Sequence, residues 1–281
     1  MSFTALTGSE IHEFINGLNA PYGQDSGAMH YHRVHAQRYA VTLNAIRQLA
    51  VSSDSRVLEL ASAPYGMTSY LRLNLFSDLT LATFADPPNE RDVDFDVAGD
   101  IFSLKEFGFN VEQSGWPFPD NTFDLVIGCE LVEHLAMDPM ALFAEANRIL
   151  KPGGRLFIST PNAASLQNFI KLASFYPASL APHFRRPATM ARLYERHNRE
   201  YSPFTLAELF KAAGFVIEVM ASDSSYPVLN MDLSSEEVET MLRIIKYPEL
   251  RRDTLNMVGV KAGSVINRYP IEHELYLASD G

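Results

Sequence analysis

The residues best placed to do chemistry lie in one short string, Cys129-Glu130-Leu131-Val132-Glu133-His134, at the end of an apolar run. A histidine titrates near neutrality and can take a proton from a hydroxyl, while an ionised carboxylate accepts hydrogen bonds. Glu130 and His134 are therefore the candidate catalytic residues, with a structural histidine that ties down the loop as the alternative for His134. A further carboxylate, Glu59, precedes Ala61, Ala63, Pro64, Tyr65 and Gly66, a proline-fixed segment able to make a tight bend. Asp86 stands before a Pro-Pro pair, and Asn110 and Glu112 lie in the polar string FNVEQSGWPF.

Strand ends are needed to hold these groups. Phe123 to Cys129 is the short, mostly apolar run that a strand buried on both faces requires, and ligands of an open parallel sheet sit beyond that end. Arg56 to Leu60 reads as a first strand, Gly66 to Phe76 as a crossover helix, and Leu79 to Phe84 as a second strand closed by the prolines. A third strand falls near Phe107 to Val111, and Phe123 to Cys129 is the fourth. Asp138 and Pro139 supply an N-cap and a first helical proline, and Lys151-Pro152-Gly153-Gly154 turns the chain into a fifth strand, Arg155 to Thr160. Thr205 and Glu208 read as a capping box, and Gly214 stops that helix before a sixth strand, Phe215 to Met220. A helix from Ser234 to about Ile245 precedes a last strand, Thr254 to Val260, and Met29 to Ala50 reads as one N-terminal helix. Strands separated by helices, then a final antiparallel pair, fit a doubly wound α/β sheet.

Composition narrows the function. With 34 acidic and 23 basic residues the net charge is −11, which argues against a nucleic-acid partner. A single cysteine excludes an intrachain disulfide or a multi-cysteine metal site. His32 and His35 share a helix face, but no carboxylate nearby in sequence completes a site, so no metal is expected and these histidines read as surface or cofactor-facing groups. The acidic run Asp86 to Asp100 lacks the glycine and glutamate of a calcium loop and reads as a solvated loop. Neither GxGxxG nor GxxxxGK[ST] occurs, which removes the nicotinamide and P-loop readings. No apolar run is long enough to span a bilayer and the first residues do not read as a leader, so the expected location is the cytoplasm, with no membrane partner.

The string WPFPDNTFDLVIGCELVEHLAMDPMALFAEANRILKPGG, with HNREY further on, resembles the class I S-adenosylmethionine-dependent methyltransferases, in the branch where PFPDxxFDxV is followed by EHL, ILKPGG and HxREY. The resemblance implies a Rossmann-like methyltransferase fold with seven strands in the order 3-2-1-4-5-7-6. It also implies S-adenosylmethionine as cofactor, held by Glu59, by the turn residues Ala61, Ala63, Tyr65 and Gly66, and by Cys129. Asp86 would accept from the ribose hydroxyls, and Asn110 or Glu112 would meet the adenine. Two glycine places of the family turn hold Ala61 and Ala63, which a negative φ would tolerate. Arg33 or Arg38 is a candidate for the cofactor carboxylate.

Residues 161–204 form an expected lid insertion and 222–253 a helical one within a core of 51–261, flanked by a helical cap, 1–50, and an extension, 262–281, in a single domain of 281 residues. From the lid side, His183, Arg186, His197, Arg199 and Tyr201 are candidates for binding a sugar or an anionic small molecule, with His197 and Tyr201 as packing residues the alternative. The expected activity is methylation of a small-molecule acceptor, at oxygen of a sugar or natural product. The alternatives are methylation at carbon or nitrogen, and a noncatalytic binding protein that kept the sheet after its turn lost the glycines.

Overall fold

The structure, a computed structural model, describes residues 4–21, 26–173, 194–225, 235–267 and 269–270. Its centre is a mixed sheet of nine strands: β1 (Leu18–Ala20), β2 (Arg56–Leu60), β3 (Asp78–Thr83), β4 (Asn89–Val97), β5 (Asp100–Gly108), β6 (Phe123–Cys129), β7 (Leu150–Pro161), β8 (Phe215–Asp223) and β9 (Thr254–Lys261). The spatial order is β1-β4-β5-β3-β2-β6-β7-β9-β8. The expected seven-strand order is embedded in it, since β5-β3-β2-β6-β7-β9-β8 is 3-2-1-4-5-7-6. β5, β3, β2, β6 and β7 run parallel, and β9 is antiparallel to both β7 and β8.

The two extra strands correct the sequence reading. The acidic run is no loop: β4 pairs along its length with β5, from Asn89 opposite Gly108 to Val97 opposite Asp100. Val93, Phe95 and Val97 point inward while Asp92 and Asp94 face solvent, the alternation of a half-buried strand. Lys105 offsets the outward charge by pairing with Glu90 and Asp92, each at 3.1 Å. Ala98 and Gly99, with φ of 53° and 97°, make the two-residue hairpin turn that matches strand twist. β1 then covers the free side of β4, with Leu18 opposite Val97.

Helices cover both faces. α1 (Gly8–Asn16), α2 (Gly27–Val34), α3 (Ala36–Arg47) and α4 (Thr68–Asn74) accompany a core of Ile11, Leu43, Leu71, Val57, Leu125, Ile127 and Phe157. α5 (Pro139–Ile149) and α7 (Pro203–Ala212) close the other face over Leu58, Val126, Leu156 and Ile158. Alternate residues of β2, β6 and β7 thus feed opposite cores. α6 (Leu166–Ala173) and α8 (Ser235–Ile244) are the other α-helices among the described residues. Met29 to Ala50 is two helices rather than one, broken at His35 (φ −97°, ψ 11°). The capping box of α7 is Ser202 with Thr205, not Thr205 with Glu208: Pro203 takes the first helical position, so the helix begins earlier, and Glu208 pairs with Lys211 instead. Asp138 does cap α5, accepting from the Met140 N–H at 3.0 Å. No helix among the described residues is long and apolar enough to cross a membrane.

Candidate active site

The carboxyl ends of β2 and β6 lie side by side, and each leaves its strand through a left-handed residue, Ala61 (φ 52°) and Glu130 (φ 49°). Ala61 therefore does not have the negative φ expected of it. Non-glycine residues held there store strain, which persists where the surroundings fix the backbone and is common at ligand sites. Here the surroundings are visible. Both the N–H and the hydroxyl of Ser62 donate to the Ala82 carbonyl, at 2.9 and 3.2 Å. Tyr65 (φ 62°) turns its ring away from the bend into the core and donates to Glu106 at 2.7 Å, while Arg91 donates to the same hydroxyl at 3.0 Å. Tyr65 is thus an anchor of the turn, and among the turn residues from Ala61 to Met67 it alone does not line a cavity there.

The N-terminal helices hold the other side of the turn. His32 is fully buried, correcting its reading as a surface or cofactor-facing group. Its Nε2 donates to the Pro64 carbonyl at 2.8 Å, leaving Nδ1 to accept from the Tyr39 hydroxyl at 3.0 Å, and burial lowers its pKa and favours this neutral form. Gly66 lies under the same pair: a Cβ there would run into the Tyr39 hydroxyl and sit 2.7 Å from His32 Nδ1.

A cavity of about 140 Å³ opens between this turn and α2 and α3, lined by Glu59, Ala61, Ala63, Gly66 and Cys129, with Arg38 opposite. Glu59 accepts from the Thr68 hydroxyl at 2.7 Å, and burial, opposed by that bond, pushes its carboxyl up to about 8. Arg38 donates to Glu130 at 3.1 Å and to the Tyr31 hydroxyl at 2.9 Å. Burial raises the pKa of Glu130 and Arg38 opposes it; burial also pushes the Cys129 thiol up, so it is an uncharged wall rather than a nucleophile. Of the two arginines considered for a cofactor carboxylate, Arg38 lines the cavity, and Arg33 donates to Asn16 at 3.0 Å.

Glu59 makes the ligand-free protein pH-sensitive. Its folded pKa of about 8 lies above the ordinary 4.5, so the stability contributed by the neutral carboxyl is complete below pH 4.5 and is lost as pH rises to about 8. Glu59→Gln keeps a neutral side chain throughout. Its melting temperature is expected to rise relative to the parent's between about pH 5 and about pH 8; parallel melting curves across that window would refute the assignment.

A second cavity, of about 200 Å³, shares Ala61, Ala63 and Glu130 with the first and extends over the ends of β3 and β5 to Phe84, Asn110 and His134. Asn110 lines it and Glu112 does not: the Glu112 carboxylate accepts from the N–H groups of Ala136, Met137 and Asp138 at 3.1, 2.6 and 2.7 Å, which spends it on shaping the loop ahead of α5. Asp86 is exposed, three residues beyond the end of β3, and lines neither cavity.

His134 sits on a 3-10 turn, Val132–His134, and its Nδ1 donates to the Arg196 carbonyl at 3.1 Å. Burial, with His197 nearby, lowers its pKa to about 4, so the ring is neutral. His197 meets it edge to face at 5.0 Å. Behind both lies Glu133, fully buried, with Oε2 accepting from Thr160 at 2.9 Å and its pKa pushed up by burial and by Glu130. Arg199 is not a lining residue: its guanidinium donates to the Leu135 and Met137 carbonyls at 2.5 and 3.1 Å, which clamps the loop. Tyr201 is buried in the apolar core between sheet and α7. His183 and Arg186 lie outside the described residues. The sequence reading missed Tyr31, Tyr39 and Thr42 in the first cavity and Phe84 and Phe109 in the second, where Tyr194, an aromatic residue of the expected lid, also lines the wall. The signal for the first three was the polar face they share with Arg38 along α2 and α3.

The comparisons agree with this architecture. Residues 32–219 match the family model described as a methyltransferase domain. A probable S-adenosylmethionine-dependent methyltransferase of Mycolicibacterium smegmatis is 32% identical over 102 residues, 36% of this chain and 32% of that protein. The demethylmenaquinone methyltransferase of Geobacillus stearothermophilus is 37% identical over 108 residues, 36% of this chain and 44% of that protein. The chain thus spans less than half the length of these curated relatives. The crystal structure of a SAM-dependent methyltransferase from Thermotoga maritima superposes with a TM-score of 0.53 at 17% identity, covering 83% of this chain and 93% of that one, a likeness of fold. The cavity fits the cofactor: a buried carboxyl held protonated for want of a cation faces it beside a buried guanidinium, one suited to an ammonium and the other to a carboxylate. With two thirds of its length matched to the family model, the chain belongs to the class I S-adenosylmethionine-dependent methyltransferases, the family whose cofactor is S-adenosylmethionine.

Proposed function

We propose that this protein methylates a hydroxyl oxygen of a small molecule, a sugar or natural product, and that residues 1–281 act as a single domain. S-adenosylmethionine supplies an electrophilic methyl group on a sulfonium. Glu59 would hold the amino group of the amino-acid end and Arg38 its carboxylate, while Asn110 and Phe84 would receive the adenine. Ala61, Ala63 and Glu130, common to both cavities, would then lie under the sulfonium. The observation that carries the reading is His134, on the wall of that second cavity with Nδ1 donating, so that Nε2 has a lone pair for the acceptor's hydroxyl proton. His197 borders the same ring and would contact the acceptor.

Calorimetry with the cofactor and mass spectrometry with a panel of acceptors test this. Glu59→Gln is expected to weaken cofactor binding about tenfold, the loss of one charge-assisted bond. His134→Ala should leave binding intact and lower turnover about a hundredfold or more. Equal loss of binding in both variants would refute the division of roles, and no heat at millimolar cofactor would refute the site. A second reading, methylation at carbon of a quinone-like ring, is favoured by the similarity to the demethylmenaquinone methyltransferase; fragmentation of the product ion separates the two.

A further inference from the structure

No metal is expected from the sequence, whose one histidine pair of note, His32 and His35, belongs to the N-terminal helices; His32 is consumed by Tyr39 and Pro64. A different group assembles across the fold. One ligand atom each from Glu133, His134 and His197 lies within 4.8 Å of the others. Glu133 Oε1 has no hydrogen-bond partner although its side chain is only 1% exposed, and it lies 3.8 Å from His134 Nε2. The Arg196 carbonyl at His134 Nδ1 can only accept, so Nδ1 carries the hydrogen and Nε2 a lone pair. Glu133 Oε1 and the His134 Nε2 lone pair therefore stand side by side but too far apart for a hydrogen bond, and the buried Oε1 is left without a partner. A cation bound between them would satisfy both.

We propose that Glu133, His134 and His197 form a binding site for a divalent transition-metal ion of the zinc type, on the acceptor side of the cofactor cavity. Two imidazoles and one carboxylate suit zinc, manganese or cobalt rather than calcium or magnesium, which favour sets of oxygen ligands. The surroundings are those of a metal ligand set. The histidine's second nitrogen is fixed by a backbone carbonyl, and the other carboxylate oxygen is fixed by the Thr160 hydroxyl. The two segments that supply the ligands are bound together: the N–H groups of Asn198 and Arg199 donate to the Glu133 carbonyl at 2.7 and 3.1 Å, and the Asn198 side chain to the His134 carbonyl at 2.8 Å. Metal bonds of about 2.1 Å bring ligand atoms to about 3.4 Å apart. The His197 ring, 38% exposed, has the freedom to close that gap.

Three protein ligands leave a coordination position open. Since His134 lines the cavity, that position would take an acceptor oxygen and lower the pKa of its hydroxyl, so that the proton passes to solvent; His134, with its Nε2 lone pair on the metal, would then serve as a ligand in place of the base. This part rests on the proposed methyl transfer; the binding of the ion does not.

The full chain, stripped with chelator, is titrated with Co²⁺ followed by visible absorption and with Zn²⁺ by calorimetry. One equivalent should bind with a Kd on the order of micromolar or tighter. Glu133→Gln and His197→Ala should each weaken it about tenfold or more, with the exposed His30→Ala unchanged. Melting curves identify any variant that fails to fold, and His197→Gln then replaces it. No cobalt band and no zinc heat, or binding that survives both substitutions, overturns the proposal. Affinity for the demethylated cofactor is measured on the same samples: retained there, it leaves the methyltransferase reading standing while the metal site falls.

Discussion

Arg38→Met is expected to cost about 3 kcal/mol of stability, a fall of several degrees in melting temperature, and to weaken cofactor binding with it. The reason is the partner left behind. Arg38 is 8% exposed and Glu130 shares its cavity, so removing the guanidinium strands a carboxyl whose pKa burial already raises. The loss should come from the unpaired acid rather than from the pair itself, because a buried ion pair gains little over apolar groups of the same shape while a broken one is expensive. A double-mutant cycle separates the two. With Glu130→Gln in place, Arg38→Met should cost markedly less stability, yet cofactor affinity should stay low because the carboxylate-binding guanidinium is still gone. A cycle whose stability losses add would show that the pair is not coupled.

Gly66→Ala is the second large effect, expected at about 1–3 kcal/mol from overpacking. The added methyl would press on the Tyr39 hydroxyl and on His32, whose ring holds the Pro64 carbonyl, and so the cofactor turn, while Tyr39 holds the ring. Cofactor affinity should fall together with the melting temperature, since α2 and α3 also carry Tyr31 and Arg38 into the first cavity. Tyr39→Phe removes the atom the methyl meets first, and the double variant should recover part of the loss. A Gly66→Ala protein that melts and binds like the parent would mean that the turn and the N-terminal helices are not locked together.

Much of the fold was legible because its signals are local. β6 was read at its observed bounds, Phe123–Cys129, from an apolar run closed by polar residues. The start of α5 was legible because Asp138 and Pro139 act within one turn of the chain. β4 was missed because its charges drew the reading towards a loop, although Val93-Asp94-Phe95-Asp96-Val97 alternates as a strand should. The Ala61 error had another source. A residue's φ depends on what its neighbours bond to, and the Ser62 hydrogen bonds to Ala82 reach a residue twenty positions away.

The site divides in the same way. The sequence by itself determined which strand ends carry Glu59 and Glu130, because hydrophobic pattern and turn residues fix where strands stop. Only the tertiary structure decided what those carboxylates meet: Arg38 is 92 residues from Glu130 along the chain, and the Arg196 carbonyl 62 residues from His134. It likewise committed Glu112, Tyr65 and Arg199 to structural bonds, and set His197 beside Glu133 and His134. Residue type states what a side chain can bond to, but burial and long-range packing select the one partner within reach, and so decide between ligand, anchor and clamp.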